Sequence, residues 1–317
     1  MSQSTFDGEA AALANRLRKN ARHLARWARR EDLEAYRLYD RDIPEFPYAI
    51  DRYGEWLHAQ LFEGKRPITD ADIAAHLDTI SASLEVPLVH IAIKVRRRQR
   101  GSSQYEKLAD DGPSFTVRER GHVFEVNLLR YLDSGLFLDH RDTRRMVGSE
   151  ARDKRVLNLF AYTGSFTVYA ACAGAASSVT VDMSHTYQDW TARNLALNGI
   201  ADFTKHSLVT DDVMTWLGAA TYRRERFDVI VLDPPSFSNS KRMQDSFDVQ
   251  RDQASLLAAT LRLLSPGGTL YFSNNRQGFK LDAAVAAMAR FEEITARTVP
   301  EDFKRRTPHR CWRVKRD

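Results

Sequence analysis

The chain has 317 residues, 43% of them hydrophobic, enough for one large or two medium domains with a real core. No stretch approaches the ~20 apolar residues of a membrane span. The N-terminus, MSQSTFDGEAAALANRLRKN, has no apolar signal core, so a cytoplasmic protein with no membrane partner is expected. Its 47 basic and 42 acidic residues leave a net charge of only +5, a weak nucleic-acid signal taken alone.

The distribution of charge says more. Residues 1–30 carry seven basic side chains against two acidic ones, KVRRRQR holds five cations in seven residues, and Lys304 to Arg316 holds seven more. Such clusters neutralise phosphates and gain from counterion release. The two cysteines, Cys172 and Cys311, lack metal-ligand spacing, so buried free thiols and no metal are expected.

The first helix is predicted from about Gly8 to Arg30. Leu13, Leu17, Leu24 and Trp27 fall on one face, and Arg18, Arg22, Arg26 and Arg29 line another as candidate RNA contacts. YRLYDRD and FPYAIDRYGEWLHAQLF read as a meander of strands. Residues 69–83 read as a short helix opening at Thr69, with Asp72 three residues on. VHIAIKVRRR is a strand running into a second candidate RNA site, Lys94, Arg96, Arg97, Arg98 and Arg100. GSSQYEKLADDGPS is turn-rich, and FTVRERGHVFEVNLL supplies further strands. Residues 1–133 thus form an α+β unit read as RNA-binding.

Over 134–317 strands and helices alternate, the mark of a doubly wound α/β sheet. GLFLDHRDTRRMVGSE is a lead-in helix. RVLNLFAY, SSVTVDM, HSLVT, FDVIVLDPP and TLYFSNN are five strands with helices between them. A helix near 282–291, the strand EEITARTV and a last strand CWRVKR follow, the final strands open to an antiparallel setting. Seven strands fit a Rossmann-like class I methyltransferase core.

The strand exits carry the chemistry. In FDVIVLDPPSFS an apolar run ends at Asp233, where open α/β sheets bind ligands. Pro234 and Pro235 lack amide protons and stiffen the loop, which presents Asp233 and Phe237 to a planar ring. At the first strand exit, NLFAYTGSFT, Gly164 permits a tight turn and Ser165 is placed to cap the next helix. The dinucleotide fingerprint G-x-G-x-x-G is absent, which excludes the usual oxidoreductase cradle. One glycine with Thr163 and Ser165 suits a smaller zwitterion such as the methionyl part of S-adenosylmethionine. Asp182 ends the second strand, eighteen residues after Gly164, where an acid accepts both ribose hydroxyls. Asp211 or Asp212, ending the third strand, is a candidate acceptor for the adenine amino group, with Met183 and Val213 flanking the ring. Any one of these acids could be a simple helix cap; acids ending three successive strands, with DPP after the fourth, are harder to obtain by accident.

With Asp139–His140–Arg141, NLFAYTGSFTV, TVDMSHTY, ARNLALNG and DPPSFSNSKRM together with FDVQRD, the chain resembles the guanine-N7 half of the bifunctional bacterial 23S ribosomal RNA guanine methyltransferases. The likeness spans nearly the whole sequence. It implies cofactor contacts from Asn158, Phe160, Thr163, Gly164, Ser165, Asp182, Met183 and Asp212, with Asp139 and Arg141 closing over the methionyl end. It also implies a base pocket shaped by Asp233, Pro234, Pro235 and Phe237. The implied substrate is a guanine of 23S RNA near the peptidyl-transferase region, in naked RNA or a large-subunit assembly intermediate. The guanine-N2 half of that family has no counterpart in this sequence, so a separate N2 methyltransferase is an implied partner.

Cytosine C5 methylation needs a thiolate in a strand-end loop, and neither DPPSFS nor FSNNRQGF has a cysteine. Guanine N2 methylation stays open on the residues, as does a non-catalytic RNA-binding assembly factor, although RNA binding alone does not require the strand-end acids.

Overall fold

A computed structural model describes residues 3–64, 67–96, 112–131, 133–238 and 246–316. Arg97, Arg98, Arg100, the Arg96 side chain and residues 239–245 of the segment after the prolines lie outside these described residues. Contacts divide the chain into two units, one of residues 1–121, 126–134 and 302–306, the other of 122–125, 135–301 and 307–317. The chain thus passes between the units more often than one boundary after residue 133 conveys.

In the first unit, helix α1 (Gln3–Arg30) buries Leu13, Leu17, Leu24 and Ala28, while Arg18, Arg22, Arg26 and Arg29 are exposed. Strands β1 (Ala35–Asp40), β2 (Tyr48–Tyr53) and β3 (Trp56–Phe62) are antiparallel neighbours. Strand β4 (Ile91–Arg96) pairs parallel to β3 after a crossover through α2 (Asp70–Leu84). The α2 start is the capping box predicted at Thr69: its hydroxyl accepts from the Asp72 amide, and the Asp72 carboxylate accepts from the Thr69 amide. Leu13, Leu17, Tyr39, Ile50, Ile80 and Leu84 share one core. Residues 302–306 join this unit because Asp302 accepts the Arg37 amide and the Arg37 guanidinium lies 4.4 Å over the Phe303 ring. Lys94, expected as an RNA contact, is buried, its ammonium donating to the Tyr131 carbonyl. Strand β5 (Ser114–Glu119) follows, and β6 (His122–Asn127) leads on along the chain.

The second unit holds α3 (Arg141–Ala151), β7 (Arg155–Leu159), α4 (Ser165–Cys172), β8 (Ser177–Asp182), α5 (His185–Leu197), β9 (His206–Thr210), α6 (Val213–Tyr222) and β10 (Phe227–Leu232). A two-residue pair, β11 (Phe237–Ser238) and β12 (Phe247–Asp248), leads into α7 (Val249–Arg262) and β13 (Leu264–Asn274). Next come α8 (Ala283–Ala286), β14 (Arg290–Glu293), α9 (Thr295–Thr298) and β15 (Arg310–Lys315). The seven-stranded sheet runs β14-β15-β13-β10-β7-β8-β9. Strands β13, β10, β7, β8 and β9 are parallel, and β15 is antiparallel to both of its neighbours. This is the Rossmann-like class I arrangement, with its strand order reversing between β7 and β10.

Three expectations fail here. The helix predicted near 282–291 is one turn, and Arg290–Glu293 are already strand. The strand predicted over EEITARTV ends at Glu293, and Thr295–Thr298 are helical. Thr295 explains the switch: its hydroxyl accepts the Cys311 amide, so a side chain takes the next rung of the ladder. Cys172 is exposed rather than buried; Cys311 is buried as expected.

Candidate active site

Register sets the site. Leu232 pairs with Leu159, Leu159 with Val181, and Asp182 with Thr210. One residue beyond those rungs, Asp233, the loop opening at Phe160, and Asp211 follow one another along a single sheet edge, with Asp182 ending β8 beside them. Neighbouring strands lie ~4.8 Å apart, which puts Asp233 and Asp182 roughly 10 Å apart across the switch point.

The loop after β7 is bent hard. Phe160, Tyr162 and Gly164 have φ of 55°, 52° and 71°. A Cβ on Gly164 would lie 2.3 Å from Thr191 Cγ2, so this position needs glycine for space as well as for its positive φ. We expect Gly164→Ala to lower unfolding free energy by about 2–4 kcal/mol, from left-handed backbone cost plus overpacking, checked by urea denaturation; an unchanged midpoint contradicts it. Gly164 is itself the α4 N-cap, with no side-chain cap hydrogen bond, so Ser165 is the first helical residue and not the cap expected. A helix start without a side-chain cap leaves amides for an anionic ligand group.

Asp182 is the pivot. Its Oδ2 accepts from the Tyr162 amide and its Oδ1 from the Ser184 amide, each at 2.9 Å, tying the β7 and β8 exits together. The residue is only 8% exposed. Burial pushes its carboxyl up to about 6, against those two amides. A raised folded-state value adds stability that is complete below the unfolded value and lost as pH rises through about 6. Were Asp182 to take the ribose hydroxyls, only its charged form would accept them, so cofactor affinity should hold above pH 6 and weaken about tenfold per unit below it. Calorimetric titration from pH 8 to 5 checks this; a flat profile contradicts it.

The remaining predicted residues divide. Met183, partly exposed, follows Asp182 directly. Asp211 accepts the Asp212 amide at 2.8 Å and is partly exposed. The helix cap falls on Asp212, which accepts the Thr215 amide at 2.9 Å at the start of α6. Val213 packs in the apolar core between α6 and the sheet and does not stand open beside a ring. Phe160 leans on that core, its ring centroid 5.7 Å from that of Phe247. Asn158 is buried, donating to Thr167 Oγ1 at 3.0 Å, so it supports α4 from beneath. Thr163 is fully buried and donates to the Gly135 carbonyl at 2.6 Å, bracing the loop from behind. Arg141, expected to close over a ligand, is fully buried at the start of α3.

Across the switch point, Ser273 Oγ donates to Asp233 Oδ1 at 2.6 Å. His140 Nε2 stands 3.4 Å from Asp233 Oδ2. Asp139 accepts from, or is paired with, His309 Nδ1 at 2.9 Å. Pro234 is buried, Pro235 is partly exposed, and Phe237 is 47% exposed, its backbone paired to Asp248. Three residues of this network escaped the sequence reading as site residues: His140, Ser273 and His309. The available signal was strand direction. An antiparallel last strand begins at the edge where the parallel strands end, which brings His309 onto the His140 ring that faces Asp233.

The donor set fits S-adenosylmethionine: a strand-end carboxylate for the ribose diol, a second strand-end acid for the adenine amine, and a glycine-capped helix start for the methionyl carboxylate. The chain belongs to the S-adenosylmethionine-dependent methyltransferase family, whose sequence profile matches residues 73–303. Within it, the chain is 50% identical over 306 residues to the ribosomal RNA large subunit methyltransferase K of Neisseria meningitidis serogroup B, covering 95% of this chain and 86% of that protein. It is 51% identical over 309 residues to the ribosomal RNA large subunit methyltransferase K/L of Methylococcus capsulatus, of which it spans only 42%. In fold it is similar to a methyltransferase crystallised with S-adenosylhomocysteine, with TM-score 0.75, 22% identity, and coverage of 96% of this chain and 81% of that one. The cofactor is S-adenosylmethionine.

Proposed function

We propose that this chain methylates N7 of a guanine in 23S ribosomal RNA, near the peptidyl-transferase region as the resemblance implies. The observation that carries the base-methylating reading is Asp233, anchored by Ser273 at the switch-point edge beside the cofactor loop. The two relatives named for large-subunit ribosomal RNA support the substrate class.

Bound at the β7–β8 exits, S-adenosylmethionine supplies a methyl carbon activated by its sulfonium. Guanine N7 has a lone pair and no proton at neutral pH, so no side chain need act as a base before attack. The residues' work is alignment, which contributes up to roughly 7–11 kcal/mol in favourable cases. N7 faces the deep, narrow major groove of A-form RNA, out of reach of side chains, so the base must leave its stem. Phe237 is exposed enough to stack on it. Asp233 accepts from guanine N1–H and N2–H, which selects guanine over adenine. The exposed arginines of α1, spread over ~16 Å of helix, are suited to hold phosphates.

Cytosine C5 methylation is disfavoured by both thiols. Cys172 lies on α4, and burial with the nearby Asp233 charge pushes the Cys311 thiol far up, away from thiolate. We propose cytoplasmic action on naked RNA or an assembly intermediate, alongside a separate guanine-N2 methyltransferase. The test is methyl transfer from labelled S-adenosylmethionine to large-subunit RNA lacking the modification. Label in the RNA is expected; cofactor binding without transfer, on naked RNA and on assembly intermediates alike, would return the chain to a binding role.

A further inference from the structure

We propose that His140 is a positioning residue for Asp233, held in turn by His309 and Asp139; this rests on the reading that Asp233 accepts from the substrate base. His140 ends the 3-10 turn Leu138–His140 and is 5% exposed. Its ring stacks on His309 with centroids 4.1 Å apart and planes 15° apart, and meets Phe166 edge-on at 5.7 Å. His309 cannot turn freely, since Nδ1 is paired with Asp139 Oδ2 at 2.9 Å and Nε2 with Thr298 Oγ1 at 3.1 Å. It forms a fixed flat wall for His140.

The polarity of His140 is directional. Its Nδ1 is buried with no hydrogen-bond partner among the described residues. Its Nε2 faces two carboxylates, Asp233 at 3.4 Å and Asp139 at 3.9 Å. Packing alone would be better served by an apolar ring, because a buried nitrogen without a partner is costly. The imidazole therefore makes sense as an Nε2–H donor toward Asp233. Burial lowers the His140 pKa although the Asp233 and Asp139 charges pull upward, so it donates as a neutral ring and leaves the Asp233 charge for the substrate. Ser273 holds Oδ1 by a hydrogen bond, and His140 Nε2 faces Oδ2. Such contacts are often long without substrate and tighten with it.

The test uses the full chain, labelled S-adenosylmethionine and large-subunit RNA lacking the modification. His140→Phe keeps the ring stack and removes the donor; His140→Gln restores an amide donor near Nε2. The phenylalanine variant should lose at least about tenfold in kcat, as loss of a hydrogen bond to a charged group implies, with cofactor Kd unchanged. The glutamine variant should recover most of that loss. In an Asp233→Asn background, His140→Phe should cost little more, because residues acting through one another are not additive. Wild-type turnover of His140→Phe overturns the proposal. So do multiplying losses in the double variant, or a parallel loss of cofactor affinity. Should the phenylalanine variant not fold, His140→Asn, whose amide is too short for Oδ2, must show the same kcat loss; normal turnover overturns the proposal. Full turnover of Asp233→Ala would instead defeat the reading of Asp233 itself.

Discussion

Asp182→Ala is expected to weaken S-adenosylmethionine binding by at least about 100-fold. Two ribose hydroxyls donating to one carboxylate are worth about 1.5–3 kcal/mol each, because the acceptor is charged. The loss is not confined to those bonds. The Tyr162 and Ser184 amides that Asp182 now accepts would be released, and the Tyr162 loop is the one whose left-handed residues shape the cofactor edge. Part of the effect is thus lost preorganisation. Folding should suffer less than binding, since the buried carboxyl is already pushed up to about 6 and its charge is expensive to keep. Calorimetric titration with a parallel thermal melt separates the two. An unchanged Kd would contradict the cofactor assignment.

Asp233→Ala is expected to reduce methyl transfer by at least about 100-fold with little change in cofactor Kd. The carboxylate has two oxygens, one taking the Ser273 hydroxyl at 2.6 Å and the other facing His140 at 3.4 Å. Each oxygen retains acceptor capacity, since an ionised carboxylate offers about four lone-pair sites. Donation from guanine N1–H and N2–H would fill it, and removal costs the same order as any pair of charge-assisted bonds, about 3 kcal/mol or more. The proposed cofactor edge at Asp182 lies two strands away and keeps its own bonds. Single-turnover transfer to RNA, read beside cofactor titration, checks the split. Normal transfer would contradict a base-recognition role.

What could be read from the sequence was set by local periodicity. Apolar runs ending in Asp182, Asp211 and Asp233 marked parallel strands and their shared edge, and Thr69 with Asp72 marked a capping box, because each signal spans a few residues. What could not be read is tertiary. Val213, Thr163 and Asn158 stand beside the site in sequence, yet their side chains turn into the core or brace the loop from behind. Lys94 reads as a surface cation and is buried on the Tyr131 carbonyl. The Asp139–His309 pair joins residues 170 positions apart, a contact that no window of the sequence contains. Thr295 ends a strand that its neighbours' propensities extend, through one hydroxyl bond to Cys311.

The central claim is methylation at guanine N7. The most direct measurement is methyl transfer to 23S RNA lacking the modification, followed by borohydride reduction and aniline cleavage, which cuts at 7-methylguanosine and leaves N2-methylguanosine and 5-methylcytosine intact. Methylation at N7 gives labelled RNA with one new cut at a guanine. Labelled RNA that aniline leaves whole would contradict N7 and move the chemistry to another atom of the base.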